Sequence, residues 1–193
     1  MPNQPPSLTL SGLVAHHADR SGAAEAVVSG EHRLRYADLA AQAARAARGL
    51  QALGVVPGDR VAVLMGNRAE WIVAVIAVAA LGATVVAVNT WCAPREIDHV
   101  LNHARASLLV SAGRYLRRDY AQDIEALRAE GRLPHLRAVV GVGADLPPSW
   151  IPWASLLGDA AAGELPQRAR PQDVAFILYT SGSTSAPKGV PLL

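Results

Sequence analysis

The chain is 193 residues long, 51% hydrophobic and 18% charged, which excludes a disordered protein and allows one good core, or a core with part of a second. Net charge is +2 with the arginines spread along the chain, and aromatic content is only 5%, a combination that points away from nucleic acid as a partner. Cys92 is alone, so an internal disulfide is impossible, and a reducing, cytoplasmic setting is expected. The opening residues are polar and proline-rich, without the charged-then-apolar order of a signal peptide; residues 1–7 are expected to be a flexible N-terminus.

From residue 8 onward, helical and extended patterns alternate. A short helix over 8–18 is expected, capped by Ser7 or Thr9. Apolar residues at 26–28 and the stretch 33–36 flank Ser29-Gly30-Glu31-His32 as a hairpin. Leu39, Ala43, Ala46, Leu50 and Leu53 recur at helical spacing and end at Gly54, predicting a helix over 38–53. A turn at Pro57-Gly58-Asp59 leads to a strand over 60–65, a helix over 69–81 and a strand over 84–88. Pro94 opens a helix over 95–105. A strand over 107–111, a helix over 115–130 ended by Gly131, and a strand over 136–142 follow. Residues 143–171 loosen into Pro, Gly and Ala, with one or two helical turns over 150–157. The strand 173–180 closes the series. Such alternation predicts an α/β fold around a mostly parallel sheet, with the early hairpin at its margin.

Residues 71–88 are nearly unbroken apolar or small residues, at the lower edge of a membrane-spanning length. The run divides at Gly82, with helix-forming residues before it and β-branched Thr84-Val85-Val86 after. A helix, a glycine stop and a buried parallel strand account for it, and no transmembrane segment is expected.

The stretch that carries chemistry is Tyr179-Thr180-Ser181-Gly182-Ser183-Thr184-Ser185-Ala186-Pro187-Lys188-Gly189-Val190. An apolar strand empties into glycine and hydroxyl residues and then a cation. Glycine lets backbone approach a ligand, hydroxyls donate to phosphoryl oxygens, and an ammonium neutralises their charge. Gly, Ser and Pro also make ordinary surface turns. Lys188 favours the phosphate reading, because it is the sole lysine among 18 basic residues, the rest being arginine. An ammonium is a compact point charge on a flexible stem, which arginine does not replace. The Walker pattern fails at two positions, with Pro187 in the place of its second glycine and Gly189 in that of the Mg²⁺-binding hydroxyl.

Other constellations carry less. Glu96, His99 and His103 share one helical face, but without a His-Glu-x-x-His order or a fourth ligand they read as a solvated face rather than a metal site. His16 and His17 point in different directions, and Cys92 has the look of a small buried side chain rather than a nucleophile. No metal ligand and no catalytic residue is assigned.

Residues 179–190 resemble the phosphate-loop signature of the adenylate-forming superfamily, Tyr-Thr-Ser-Gly-Ser/Thr-Thr-Gly-x-Pro-Lys-Gly-Val, with Ser185 in the position of a usual glycine. Tyr36-Ala37-Asp38-Leu39, Gly58-Asp59-Arg60-Val61-Ala62 and Leu81-Gly82-Ala83-Thr84-Val85-Val86-Ala87-Val88-Asn89 followed by Pro94 resemble the same family upstream. The wording Val88-Asn89-Thr90-Trp91 looks most like its acyl-CoA synthetase branch. The resemblance implies an incomplete N-terminal portion of the adenylate-forming fold over 8–193, truncated after the phosphate loop. It further implies activation of a carboxylic acid by ATP to an acyl-adenylate, then transfer to coenzyme A. Thr180, Ser181, Gly182, Ser183, Thr184 and Lys188 would hold the β- and γ-phosphates. The family's adenine and ribose contacts, Mg²⁺-binding glutamate, acyl pocket and C-terminal catalytic lysine would lie beyond residue 193, leaving the chain incomplete as a catalyst. The alternative is a non-catalytic α/β interaction module that retains the loop as inherited structure.

Overall fold

A computed structural model of the chain describes residues 7–158, 162–180 and 187–193. The expectation for residues 1–6 lies outside them, while the Ser7 hydroxyl accepts from Thr9 N–H at 3.2 Å. Helix α1 (Leu10–Ser21) starts at Thr9, whose hydroxyl accepts from Gly12 N–H at 3.2 Å and so satisfies an orphan donor of the first turn. Strands β1 (Glu25–Ser29) and β2 (His32–Arg35) form the expected hairpin as a separate two-stranded sheet, with Gly30 at φ 58° in its turn. Helix α2 (Tyr36–Ala52) follows; its Asp38 carboxylate accepts from Arg35 N–H at 3.1 Å.

The main sheet then begins with β3 (Arg60–Leu64), α3 (Ala69–Ala80), β4 (Thr84–Ala87), α4 (Pro94–His103) and β5 (Leu108–Ala112). The membrane-like run is thus α3 and β4, split at Gly82 with φ 69°, a left-handed value that a side chain resists. Every residue from Val73 to Ala80 is buried, because α3 lies between the sheet and α2. Among the described residues no helix is long and apolar enough to cross a membrane.

The helix expected over 115–130 is shorter than predicted. Arg114–Tyr115 (β6) and Arg118–Asp119 (β7) pair as a small antiparallel hairpin, with Leu116 at φ 53° in the turn. Helix α5 (Tyr120–Ala129) begins only where Asp119 caps it, accepting from Gln122 N–H at 3.0 Å. Ion pairs of Arg114 with Asp119 (2.7 Å) and Arg118 with Asp123 (3.0 Å) hold the hairpin against the helix start. Helical propensity at 115–119 loses to this capping and pairing.

After β8 (Ala138–Val142), the short strand β9 (Ile151–Pro152) joins the sheet and α6 (Trp153–Leu157) gives the expected helical turns. Strand β10 (Phe176–Thr180) returns to the other side of the sheet, beside β4, and β11 (Lys188–Leu192) pairs antiparallel with it. The seven-stranded order is β11-β10-β4-β3-β5-β8-β9, parallel throughout except at β10–β11.

Chain direction in the sheet reverses at β3: β4 lies on one side and β5 on the other. Right-handed crossovers therefore place α3 on one face and α4 and α5 on the opposite one. Helices α1, α2 and α6 join α3 in a packed layer, while α4 packs with α5. Both faces of β3, β4, β5 and β8 are covered, which is why they read as unbroken apolar runs; Val61, Val63, Val85, Leu109 and Val140 have no exposed surface.

Candidate functional site

Strand β10 runs parallel to β4, so its C-terminal end opens on the same edge of the sheet as the ends of β3, β4 and β5. In open parallel α/β sheets ligands bind outside the carboxyl ends of the strands, in the crevice left where neighbouring connections depart to opposite faces. Two anchors fix β10 to β4: the Thr84 hydroxyl donates to Val174 O at 2.8 Å, and Val85 N–H donates to Ala175 O at 2.9 Å.

Of the six residues expected to hold phosphate, Thr180 and Lys188 lie among the described residues; Ser181, Gly182, Ser183 and Thr184 lie outside them, as does Ser185. The structure brings Thr180 and Lys188 directly opposite each other, as the last pair of the β10–β11 ladder. Opposed residues in an antiparallel pair have their Cβ atoms about 5 Å apart on one face of the sheet. Both are exposed and opposite each other, so the hydroxyl and the ammonium stand together at the end of the hairpin where the chain passes from β10 to β11. The strand return at Lys188 was not foreseen, since a stretch rich in Gly, Ser and Pro carries no strand periodicity up to that residue.

The side chain of Tyr179 points the other way, toward α4. Its ring lies over Gly189, its cross-strand partner; a Cβ at Gly189 would meet the ring at 3.2 Å and Ile177 at 3.1 Å. The Tyr179 hydroxyl shares a 2.8 Å hydrogen bond with His103 Nδ1, and burial pushes its pKa up. One turn earlier on α4, His99 Nε2 lies 3.0 Å from Pro187 O. A carbonyl can only accept, so His99 is the donor. The face read as solvated is therefore occupied in part by the hairpin. Among the described residues no group of three His, Cys, Asp or Glu is placed to hold an ion, and the Glu96 carboxylate accepts from Ala93 N–H at 2.7 Å to cap α4.

The loop after β4 flanks the same edge. Tyr120, fully buried, donates to Thr90 O at 2.7 Å and ties the loop to α5. Trp91 beside it is 80% exposed. With Leu116 and Arg118 it borders a largely apolar cavity of about 420 Å³. Cys92 is half-buried, and burial first, then the nearby Glu96 charge, pushes its thiol pKa up, which argues against a nucleophile at neutral pH. A second cavity of about 350 Å³ sits where β3 and β5 diverge, bordered by Gly66, Asn67, Arg68 and Tyr115. Arg68 there grips Glu70 with bonds of 2.9 and 2.8 Å. Burial pushes the Glu70 carboxyl up, but Arg68 outweighs it and holds the group below its ordinary range. Neither cavity is bordered by Thr180 or Lys188.

The sheet is mostly parallel with one antiparallel edge pair, an α/β architecture in which Thr180 faces the chain's sole lysine. The chain belongs to the AMP-binding enzyme family, whose model matches residues 14–193. Among curated relatives, the long-chain-fatty-acid–CoA ligase FadD13 of Mycobacterium tuberculosis is 36% identical over 158 residues, which are 82% of this chain and 29% of that protein. A feruloyl-CoA synthase of Amycolatopsis sp is 35% identical over 183 residues, 95% of this chain and 33% of that protein. The solved N-terminal domain of FACL13 from Mycobacterium tuberculosis has a TM-score of 0.82 at 32% identity, covering 95% of this chain and 44% of that one. The anthranilate CoA ligase AuaEII, solved with anthranoyl-AMP, has a TM-score of 0.85 at 24% identity, over 95% of this chain and 34% of that one, a likeness of fold. The chain spans about a third of the length of the curated relatives it matches.

Proposed function

We propose that the whole protein is an AMP-forming acyl-CoA ligase acting in the cytoplasm on a carboxylic acid, ATP and coenzyme A. A carboxylate oxygen attacks the α-phosphorus of ATP, forming the acyl-adenylate and releasing pyrophosphate. The thiol of coenzyme A then takes the acyl group, releasing AMP. The carboxylate is already ionised at neutral pH and needs no general base. Thr180, Ser181, Gly182, Ser183, Thr184 and Lys188 hold the β- and γ-phosphates and the departing pyrophosphate, contributing by position and charge. Among the described residues no cluster of His, Cys, Asp or Glu offers a ligand set for Mg²⁺.

The observation that carries this reading is the opposition of Thr180 and Lys188 where β10 gives way to β11, in a chain of the AMP-binding family. The experiment is ATP–pyrophosphate exchange by the whole protein with a panel of carboxylic acids. Exchange that needs both ATP and one class of acid supports the ligase. No exchange with any acid, together with no calorimetric ATP binding, favours the non-catalytic module. The 193-residue chain alone, about a third of its relatives' length, is expected to bind ATP weakly; micromolar binding by it contradicts that expectation.

A further inference from the structure

We propose that His99 and His103 are positioning residues for the phosphate grip, holding β10 and the residue just before β11 to α4 so that Thr180 and Lys188 keep the placement that ATP requires. The inference rests on the reading in which those two residues contact phosphate.

Strand β11 is the margin of the sheet; it pairs with β10 on one side and with no described strand on the other. Among the described residues its ladder to β10 runs to the Thr180–Lys188 pair. A strand paired on one side takes its position from that ladder and from whatever else it touches. The two histidines supply two further ties, one on β10 and one on the residue just before β11. His99 donates to the carbonyl of Pro187, the residue before Lys188; His103 bonds the hydroxyl of Tyr179, the residue before Thr180. Each tie therefore falls one residue from Thr180 or Lys188, and the Tyr179 side chain stands on the face opposite to that of Thr180.

The rings reinforce the hydrogen bonds. His99 and His103 stack at 5.4 Å between centroids, and both meet Tyr179 edge-on, at 6.4 and 5.7 Å. The Tyr179 ring is in turn seated over Gly189, so a push on the tyrosine is passed to the residue after Lys188. The base of this arrangement is rigid. Ile97, Val100 and Leu101 anchor α4 in the core, Pro94 and Glu96 fix its start, and Asp98 and Asn102 bind Arg132 on the far side. A supporting shell of this kind decides whether a site is held within the fraction of an ångström that catalysis demands.

The test measures KM for ATP and for the acid separately, by ATP–pyrophosphate exchange in the whole protein, with thermal unfolding of each variant. His99→Ala and His103→Ala are expected to raise the ATP KM about tenfold each, with the acid KM within about twofold, because a shifted grip weakens one substrate's contacts and not the other's. His99→Gln, whose amide reaches the Nε2 position, and His103→Asn, whose amide takes the Nδ1 position, are expected to recover most of the loss. Tyr179→Phe, which removes one hydroxyl without changing volume, is expected to move the ATP KM in the same direction. Should an alanine variant fail to fold, Tyr179→Phe and the two amide variants decide. An unchanged ATP KM, equal rises in both KM values, or amide variants no better than alanine would overturn the proposal. Lys188→Ala in the same assay separates the two readings. If it loses exchange while the histidine variants stay normal, the positioning role alone is wrong; if it too is normal, the phosphate grip itself is wrong.

Discussion

The middle of the sheet and its outer hairpin are built from the same kind of residue and end in different states. Val63, Val85 and Leu109 are fully buried between two helical layers, whereas Leu178, Val190 and Leu192 in β10 and β11 remain 39%, 42% and 42% exposed. The central strands have helices on both faces; the hairpin has α4 on one face and an open surface on the other. Within these 193 residues burial is most complete in β3, β4, β5 and β8, and Thr180 and Lys188 sit on the less buried hairpin. Separation of this kind leaves the site's geometry dependent on a few local ties rather than on the core.

The largest effect should come from the centre. Leu109→Ala is expected to cost about 3 kcal/mol, the loss of a fully buried leucine plus the cavity it leaves. Leu178→Ala on the open face of the hairpin should cost no more than about 1 kcal/mol. Chemical denaturation of both variants compares them directly, and equal losses would erase the distinction between the regions.

Gly82 joins the two regions, since it ends α3 just before β4, the strand on which β10 is laid. With φ at 69° and a Cβ that would sit 3.1 Å from Arg168 O, Gly82→Ala is expected to cost roughly 1–2 kcal/mol. A denaturation midpoint equal to that of the parent would show that the turn relaxes freely.

A smaller effect belongs to the far margin, where Glu125 accepts from Trp150 Nε1 at 2.9 Å, Ser149 Oγ at 3.0 Å and Arg128 at 3.0 Å. Burial pushes this carboxyl up, but the three donors and the Arg128 charge outweigh it and leave it below its ordinary value. A folded-state pKa lower than the unfolded one adds stability that is complete above the unfolded value and is lost as pH falls through the folded one. Glu125→Gln should thus destabilise by about 1 kcal/mol at pH 7, the modest size reflecting a carboxylate more than a third exposed. The difference from the parent should shrink in the acid range. Thermal unfolding from pH 7 down to pH 3 follows it; a difference independent of pH would contradict the assignment.

The smallest effect is chemical. Because burial raises the Cys92 thiol, its alkylation by iodoacetamide at pH 8 should be slower than that of free cysteine, and a faster reaction would show an activated thiol.

Most of the centre was legible in the sequence, since continuous apolar runs between glycine stops mark strands buried on both faces. The division of residues 71–88 at Gly82 is the best instance. The margins were less legible for physical reasons. Strand β11 lies in a stretch whose Gly189 and Pro191 suppress any strand pattern. The first turn of the expected helix at 115 gave way to a small hairpin because capping by Asp119 outweighs local propensity. Strand order leaves no trace in periodicity, so the return of β10 to the side of β4 was out of reach. His99 and His103 were correctly put on one face of α4, but helical spacing says only which residues share a face, and not that Tyr179 and Pro187 lie across from it.

The central claim is that the lone lysine marks the phosphate grip. ATP–pyrophosphate exchange by the whole protein, with Lys188→Ala and Lys188→Arg beside the parent, tests it most directly. The account predicts a loss of about 10²- to 10³-fold for alanine, the size expected when a preorganised charge facing the reacting phosphates is removed. Arginine should recover little of it, because a planar fork does not take the place of a compact ammonium. Exchange by Lys188→Ala within twofold of the parent would contradict the claim.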